Sequence, residues 1–373
     1  VNMTVLNNMI QMQKTERERE PLIAGMRILW HDLHLLITGP ATQNLRLHFA
    51  QRWIYAFSRN TPLTRSQTIT IPSQEHRKPC GKNHEVVGDT GNKVYQNCPI
   101  KVLRVWKGVF DTHYMLHEYM EMIKNAKSFL YIEHQYPFHN YPLTHVMCQA
   151  LKRNPQLRVL IVTPVKTDLL TGLAGELVDW SQDHIIQHLH TIKKAAPDRV
   201  GIYGIVKQDP SSQRIKPIYV HSKLCIVDDE YIITGSTNLD NMSFFYSSEL
   251  SLTIYNAQLA KDMKTRLIKE HLGRYYKPEM EDDFQMIFDA FKKVASMNDK
   301  CLCAGIDLVG RPVFMAPAQN YELVLQRIYY PNKVSKLLYK MGINTEDFLQ
   351  DIADSGRGYY ESVKKLPLLR SYL

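Results

Sequence analysis

The stretch IYVHSKLCIVDDEYIIT, residues 218–234, decides the fold of this chain. Two runs rich in apolar and β-branched residues, 218–227 and 231–234, flank the polar pair Asp229-Glu230. Runs of this kind on either side of a short polar turn are typical of two adjacent strands. The stretch therefore predicts a strand pair.

The sequence on both sides of this strand pair alternates short apolar runs with longer segments of helical periodicity. Because helices and strands that alternate along a chain pack into layers, the pattern predicts an α/β domain from about residue 100 onward. The predicted strands cover residues 128–136, 157–165, 200–206 and 249–255, and the predicted helices cover residues 113–127, 143–153, 173–195 and 259–272.

The first hundred residues follow a different pattern. Residues 1–28 are polar, and the alternating charges that precede Pro21 predict an exposed helix that ends there. Residues 27–38 alternate apolar and polar side chains like a half-buried strand, and residues 41–57 carry apolar side chains at helical spacing. Residues 58–98 have little periodicity and predict a long loop or linker.

The last hundred residues differ again. Residues 275–373 predict a C-terminal extension with helical segments around 283–294 and 321–330, and we assign no chemistry to it. Its aromatic and basic end would suit a lipid interface, although packing within a subdomain is the commoner role of such residues. We find no internal repeat in the sequence.

Composition excludes several classes of protein. Of the 373 residues 44% are hydrophobic and 22% are charged, so disorder, collagen and coiled coil describe the chain poorly. A chain of this length predicts two or three domains. No apolar run approaches the ~18 residues of a membrane-spanning helix. No leader follows Val1, from which we expect a mature form or a fragment, of unassigned location but compatible with a secreted or peripheral membrane protein.

The net charge favours polyanionic partners. Lys and Arg total 46 against 37 Asp and Glu, which gives +9. A positive balance suits nucleic acid, anionic lipid or phosphate esters. No cluster is larger than a pair such as Lys193-Lys194, so a solvated surface accounts for most of this charge.

Cysteines and histidines give weak signals. Six cysteines are too few for a disulfide scaffold, and Cys148 and Cys225 lie in apolar stretches that predict buried thiols. One bridge is open by spacing, either Cys80 with Cys98 or Cys301 with Cys303. Three sets of side chains could bind zinc, although structural or surface roles are commoner: His113 with His117, His184 with His188, and Cys80 with His84 and Cys98.

One spacing stands above the rest, H-x-K-x4-D-x6-G-S-x-N, which begins at His221 and ends at Asn238. On a strand, residues i and i+2 point to the same face, so His221 and Lys223 are predicted to project together. A lysine can neutralise phosphate oxygens while an imidazole attacks phosphorus or protonates the leaving oxygen. A chance histidine and lysine at a sheet edge is disfavoured because six identities are fixed at once. The spacing predicts phosphodiester chemistry.

The remaining motif residues are assigned supporting roles. Ser236 and Asn238 are predicted to donate hydrogen bonds to the same phosphate as charge builds on it. Glu249, on the following strand, is predicted to bond the far nitrogen of His221 and to fix its tautomer. Asp228 is interpreted as support for the turn.

These residues resemble the HKD signature of the phospholipase D superfamily. Two further stretches resemble the eukaryotic-type phospholipases D in particular. Residues 131–136, YIEHQY, are similar to their YIENQY strand, with His134 in place of asparagine, where a phosphate or lipid contact and a packing role are both open. Trp30-His31-Asp32, Gly39-Pro40-Ala41, Phe49 and Arg52-Trp53 are similar to their WHD…GPA…F..RW stretch.

The resemblance covers roughly residues 28–275 and implies a mixed β-sheet flanked by helices, the second lobe of a two-lobed enzyme. It divides the chain into a remnant of the first lobe (1–57), a linker (58–100), the second lobe (101–274) and the C-terminal extension (275–373). The first HKD motif should precede the WHD stretch, yet the first histidine of the chain is His31. Either the first half is a separate or cleaved polypeptide, which the WHD remnant favours, or two copies pair.

The resemblance also implies an activity. It is hydrolysis of a glycerophospholipid to phosphatidic acid and the head-group alcohol, through a phosphohistidine formed on the other lobe. His221 would protonate the leaving alcohol, Lys223 would hold the phosphate, Glu249 would orient the histidine, and no metal or other cofactor is needed. The expected partners are a phospholipid membrane surface and the complementary half or a second copy, whereas nucleic acid is disfavoured. The alternatives are an HKD-family nuclease and a non-catalytic subunit that binds lipid phosphate.

Overall fold

The computed structural model describes residues 3–6, 29–60, 93–106, 113–165, 173–208 and 215–315. The helices are α1 (Thr42–Asn60), α2 (His113–Asn125), α3 (Tyr141–Arg153), α4 (Leu173–Ala195), α5 (Ala257–Leu272) and α6 (Phe284–Ala304). The strands are β1 (Met3–Leu6), β2 (Leu29–His31), β3 (His34–Ile37), β4 (Val94–Tyr95), β5 (Ile100–Trp106), β6 (Phe129–His134), β7 (Arg158–Thr163), β8 (Val200–Gln208), β9 (Ile215–Val220), β10 (Lys223–Val227), β11 (Tyr231–Gly235), β12 (Ser248–Tyr255) and β13 (Pro312–Phe314).

One large mixed sheet organises these elements. Its strands follow the order β2-β9-β8-β7-β6-β10-β11-β12-β5, and β13 also pairs with β8. Strands β6, β7 and β8 are parallel because helices α3 and α4 return the chain between them, whereas β10, β11, β12 and β5 are antiparallel neighbours. The predicted mixed sheet flanked by helices is confirmed. A second sheet has the order β3-β1-β4.

Two apolar cores cover the faces of the large sheet. Strand β6 is buried along its whole length, and its side chains alternate between the cores: Phe129 and Tyr131 face helices α5 and α6, while Leu130 and Ile132 face helices α2, α3 and α4. Burial of both faces explains why residues 129–132 are all apolar or aromatic, before the strand ends in Glu133 and His134.

Most of the predicted elements are found, and helix α4 matches its predicted range, residues 173–195. Three predictions at the N-terminal and central segments are wrong. Met3–Leu6 is a strand and not part of a helix; the rest of the predicted N-terminal helix lies outside the described residues. The predicted strand over 27–38 is two strands, because β2 joins the large sheet while β3 joins the small one. The predicted strand over 218–227 is divided between β9 and β10.

Part of the predicted C-terminal extension packs on the large sheet. Helix α6 begins after Asp283, whose carboxylate accepts from the amide of Met286, and it ends at Gly305 in the left-handed region, φ 67°. Strand β13 then pairs with β8. The predicted helix around 283–294 is therefore confirmed and longer than expected. The predicted helix around 321–330 and most of the predicted linker lie outside the described residues.

The described cysteines are free thiols. Cys301 and Cys303 are not bridged, because positions i and i+2 point to different sides of helix α6. Cys98 is free as well, and Cys80 lies outside the described residues. Cys225 is buried as predicted, whereas Cys148 is only partly buried. None of the described helices is long and apolar enough to cross a bilayer.

Candidate active site

The H-x-K segment lies where the chain leaves one part of the sheet for another. Strand β9 pairs in parallel with β2, and its last residue, Val220, lies opposite His31. Strand β10 begins at Lys223 and pairs with β6. The two residues between them donate both backbone amides to the carbonyl oxygen of His31, from His221 at 2.8 Å and from Ser222 at 3.2 Å. The predicted i, i+2 arrangement on one strand is therefore wrong, because the segment is a crossing between strands.

The carboxylate that orients His221 is that of Asp32. Its Oδ2 lies 2.8 Å from Nδ1 of His221, and its Oδ1 accepts from the amide of Leu33 at 2.9 Å. Burial would raise the pKa of Asp32, but the bonds from His221 and Leu33 hold it below its ordinary value. An ionised carboxylate only accepts, so Nδ1 carries the proton and Nε2 is presented for chemistry.

Glu249 was predicted in this role, and that prediction is wrong. Glu249 lies on β12 and accepts from the hydroxyl of Ser236 at 2.5 Å, while the amide of Leu250 donates to the same hydroxyl oxygen at 3.0 Å. Burial raises the pKa of Glu249, and the bond from Ser236 opposes this. Among the described residues no histidine is bonded to Glu249. Ser236 is thus engaged by a carboxylate, where sequence reasoning assigned it to phosphate.

Asp32 and Glu249 begin similar segments. The residues D-L-H-L-L-I from Asp32 to Ile37 match E-L-S-L-T-I from Glu249 to Ile254, and each segment is followed by a turn and a long helix, α1 or α5. The structures of the two segments differ, because β3 lies in the small sheet and β12 in the large one. In the described part of the chain, only Asp32 of the two acids contacts a histidine.

Lys223 is held in the site by β6 and by its own segment. Its Nζ donates to Oε1 of Gln135 at 2.8 Å and to the carbonyl oxygen of His221 at 2.6 Å. The amide nitrogen of Gln135 donates in turn to the hydroxyl of Tyr219 at 2.6 Å. Lys223 is only 6% exposed, so these hydrogen bonds, and not contacts with water, fix the position of its ammonium group.

The charge of Lys223 affects the pKa of three carboxyl groups. Burial is the largest influence on Asp32, Asp240 and Glu249 and raises the pKa of each, whereas Lys223 lowers it. The pKa of Asp240 is raised to about 6. Asp240 was missed by sequence reasoning, because it follows the recognised spacing by two residues and belongs to no motif. The described part of the site is therefore rich in acid.

The remaining predicted residues have mixed outcomes. Asp228 supports the turn as interpreted: it has φ 49° and its carboxylate accepts four bonds of 2.8 Å from residues 127–129 at the start of β6. Asn238 is partly buried, its amide donates to Ser243 at 3.1 Å, and its Oδ1 is buried without a partner among the described residues. An amide oxygen accepts hydrogen bonds and cannot donate one to a phosphate. The predicted bond from the Asn238 side chain to phosphate therefore rests on its amide NH₂ alone.

His134 has a packing role. It is fully buried and meets the ring of Tyr119 edge-on at 6.4 Å. Burial, reinforced by the charge of Lys223, lowers the pKa of His134 to about 3, so the ring is neutral. A neutral and buried ring does not contact a lipid phosphate.

An aromatic side chain that sequence reasoning left without a role lies against the imidazole. The ring of Trp30 is 4.7 Å from the rings of both His221 and Tyr219, and Trp30 remains 45% exposed. Its Nε1 is 3.5 Å from Oδ2 of Asp32. Trp30 therefore shields one side of the Asp32–His221 pair from water while its other face is open.

Behind His221 lies a group of charged side chains, the buried polar cluster, made of His31, Glu133, Glu270, His271 and Arg311. Glu133 lies between His31 at 2.9 Å and His271 at 3.1 Å. His31 also lies 3.5 Å from Glu270, and Glu270 forms an ion pair with Arg311. Burial would lower the pKa of His31, but Glu133 and Glu270 raise it to about 10. Burial would raise the pKa of Glu133, but His31 and His271 hold it well below its ordinary value.

The buried polar cluster also contains the one group of described residues whose spacing could hold a metal ion, His31, Glu133 and His271. Both oxygens of Glu133 already accept from hydroxyl groups, of Ser222 at 2.5 Å and of Tyr131 at 2.6 Å. The protonated His31 supplies the positive charge that a metal would bring. The predicted pair His184 and His188 forms no such group, and the other predicted sets include side chains outside the described ones.

The chain is similar in sequence to several known proteins. A family model described as "Cardiolipin synthase, PLD-like domain" matches residues 119–270. Phospholipase D1 of Schizosaccharomyces pombe is 24% identical over 305 residues, which cover 67% of this chain and 22% of that protein. Human phospholipase D1 is 22% identical over 68% of this chain and 26% of that protein. Cardiolipin synthase 1 of Staphylococcus aureus is 25% identical over 65% of this chain and 40% of that protein.

Two solved structures resemble the chain at low identity. A phospholipase D family member, Nuc from Salmonella typhimurium, is 20% identical with a TM-score of 0.32, and covers 46% of this chain and 91% of that one. Phosphatidylserine synthase of Haemophilus influenzae is 18% identical with a TM-score of 0.36, and covers 52% of this chain and 46% of that one. The matches to phospholipase D1 of both organisms and to cardiolipin synthase 1 each span less than half the length of that relative.

Proposed function

The chain carries a domain of the phospholipase D superfamily, and we propose that it is one part of a phosphodiesterase that cleaves glycerophospholipids to phosphatidic acid and the head-group alcohol. The observation that carries the proposal is the Asp32–His221 pair, 2.8 Å apart, with Lys223 bonded to the same segment. A carboxylate that fixes one nitrogen of an imidazole leaves the other to transfer a proton beside a cation, as phosphoryl transfer requires.

In this mechanism His221 is the general acid and base. A histidine of the second half forms a bond to phosphorus while the bond between phosphorus and the head-group oxygen breaks. His221 enters this step as the imidazolium: its Nδ1 proton stays hydrogen-bonded to Asp32, and the head-group oxygen takes the proton from Nε2. Lys223 stabilises the charge on the non-bridging oxygens. Water then returns a proton to Nε2 as its oxygen attacks phosphorus, which breaks the phosphorus–nitrogen bond and releases phosphatidic acid. An alcohol in place of water would give transfer, the reaction for which the cardiolipin synthase relatives are named.

Two observations support a second half supplied by another polypeptide or another copy. Glu249 begins a segment similar in sequence to that of Asp32 but has no histidine among the described residues, so a histidine from outside would complete a second pair. The charge of Lys223 lowers the pKa of three carboxyl groups, Asp32, Asp240 and Glu249, and an anionic phosphate beside them would need further positive charge to bind. The match to the WHD stretch favours a separate or cleaved first half over a second copy.

The experiment compares phosphatidylcholine vesicles and single-stranded DNA as substrates for the active material, with sizing and mass determination of every polypeptide in it. We expect head-group release, little DNA cleavage, and activity only where a second polypeptide or a dimer is present. His221→Ala should abolish release, and His190→Ala, a change at an exposed histidine of α4, should not. DNA cleavage without lipid cleavage would instead make the chain a nuclease, and binding of vesicles without turnover would make it a lipid-binding subunit. Full activity of a strict monomer would contradict the proposal that a second polypeptide or a second copy completes the site.

A further inference from the structure

Strand β6 holds the H-x-K segment from behind with two side chains. Glu133 and Gln135 are two residues apart at the end of β6 and bond consecutive residues of the segment. Glu133 accepts from the hydroxyl of Ser222 at 2.5 Å, and Gln135 accepts from Lys223 at 2.8 Å. The residues on both sides of this contact are buried, so water does not compete for these bonds.

Strand β2 holds the same segment from the other side. The carbonyl oxygen of His31 accepts both amides of the crossing, those of His221 and Ser222. The next residue after His31 is Asp32, which bonds the imidazole of His221. A change in the position of His31 therefore moves the backbone of His221 and its carboxylate partner together.

The side chain of His31 lies beside the same carboxylate that Ser222 bonds. Oε1 of Glu133 accepts the Ser222 hydroxyl and lies 2.9 Å from Nδ1 of His31, an ion pair without hydrogen-bond alignment. One oxygen atom thus contacts both strand β2 and the residue between the two motif positions. Every link in this path is at least 97% buried by residue: His31 is 3%, Ser222 1% and Glu133 0% exposed.

We propose that Glu133 and His31 are positioning residues for His221, and that they act through the hydroxyl of Ser222 and the carbonyl oxygen of His31. The carboxylate of Glu133 sets the distance between β2 and the crossing, and with it the alignment of His221 on Asp32. The consequence for turnover rests on the proposed function, whereas the consequence for the geometry of His221 does not.

Charge balance explains why a protonated histidine belongs at the centre of the buried polar cluster. Glu133 and Glu270 carry two negative charges, and Arg311 supplies one positive charge. An imidazolium at His31 brings the sum of these four groups to zero. A buried carboxylate left without a cation costs several kcal/mol, so the proton is held in place by its surroundings.

The test uses a matched pair of hydroxyl deletions on the same carboxylate. Ser222→Ala removes the donor to Oε1 of Glu133, and Tyr131→Phe removes the donor to Oε2. Both variants lose one buried hydroxyl beside Glu133, but only Ser222 is adjacent to His221. The readouts are the NMR resonance of the Nδ1 proton of His221, the thermal unfolding of each variant, and kcat and KM of the completed enzyme.

We expect Ser222→Ala to shift or broaden the His221 resonance and Tyr131→Phe to leave it in place, although both unfold at a lower temperature. The kcat of Ser222→Ala should fall about tenfold to a hundredfold, because a displacement of about 1 Å at a catalytic group costs that much. Its KM should change by less than about twofold, since ground-state contacts remain.

Three results would overturn the proposal. The first is an unchanged His221 resonance in Ser222→Ala, and the second is an equal change in both variants, which would mean general loosening of the core. The third concerns a metal. One equivalent of zinc in the purified chain, lost on Glu133→Gln, would replace the imidazolium with a metal and overturn the role of His31. The NMR readout needs no substrate, so it distinguishes failure of this proposal from failure of the proposed function.

Discussion

The buried polar cluster should make the free energy of unfolding fall steadily as the pH rises above neutrality. The pKa of His31 is about 10 in the folded chain, against an ordinary value of 6.5. Between these values the folded state holds a proton that the unfolded state has lost, so the free energy of unfolding decreases by about 1.4 kcal/mol per pH unit. The stabilisation, roughly 5 kcal/mol over the whole interval, is complete below about pH 6.5 and lost above about pH 10.

The assay is urea unfolding of the wild type and of the double variant His31→Gln/Glu133→Gln between about pH 6 and pH 9. The double variant removes one positive and one negative charge, so the cluster keeps its balance and the chain its fold. Groups outside the buried polar cluster that titrate in this range contribute equally to both proteins. We expect the slope of the wild type to exceed that of the variant by about 1.4 kcal/mol per pH unit.

Equal slopes in the two proteins would refute the reasoning. A second measurement needs no unfolding: at about pH 8 the ¹⁵N resonances of His31 should show a proton on both ring nitrogens, unlike those of an ordinary histidine. A bare nitrogen at that pH would refute it as well. The single variant His31→Gln removes the imidazolium between Glu133 and Glu270 and leaves Arg311 paired with Glu270 alone, so it should destabilise by roughly 3–5 kcal/mol.

Three further changes test other parts of the structure. Asp32→Asn keeps the shape of the site but no longer demands a proton on Nδ1 of His221, so turnover should fall by about 10²–10⁴ while circular dichroism is unchanged; retained turnover would contradict the pairing. Asp228→Asn weakens a carboxylate that accepts four bonds at the start of β6 and should lower the free energy of unfolding by roughly 2–3 kcal/mol, measured by urea unfolding. Lys264→Met leaves the carboxylate of Asp229 without its cation in a partly buried turn, so at neutral pH this variant should be less stable to urea than the conservative Lys264→Arg. The difference should shrink in acid as Asp229 is protonated, and equal stability at neutral pH would contradict the ion pair.

The layered fold could be predicted because its local signals agree with its packing. Residues 159–162 and 224–227 are apolar without interruption, as expected of strands covered on both faces, and 173–195 has a helical period. Local patterns carry no information on which strands pair. The division of 218–227 into β9 and β10 depends on β2, which lies far away in the sequence, so the crossing at His221 was not predictable.

The candidate site was predicted in its central residues and missed in its supports. His221 and Lys223 belong to a fixed spacing, and the structure brings them together. The partner of His221 was assigned to Glu249 because that residue lies on a nearby strand in the sequence, whereas Asp32 reaches the imidazole across 189 positions. The sequence did contain a signal that Asp32 could be the partner: the segments that begin at Asp32 and Glu249 share the same pattern of apolar residues.

The three-residue pairing of β2 with β9 places Asp32, the residue after β2, at the site. The residues that the chemistry needs therefore extend beyond the region that matches the family model. The region that matches the family model begins at residue 119 and includes His221, yet the carboxylate that orients this histidine belongs to Asp32, 87 positions before that region. A chain that began after Asn60 would keep the matched region together with β5 and α6, but its imidazole would lose the carboxylate that fixes its tautomer. Loss of activity on trimming would then report on Asp32 and not on the fold.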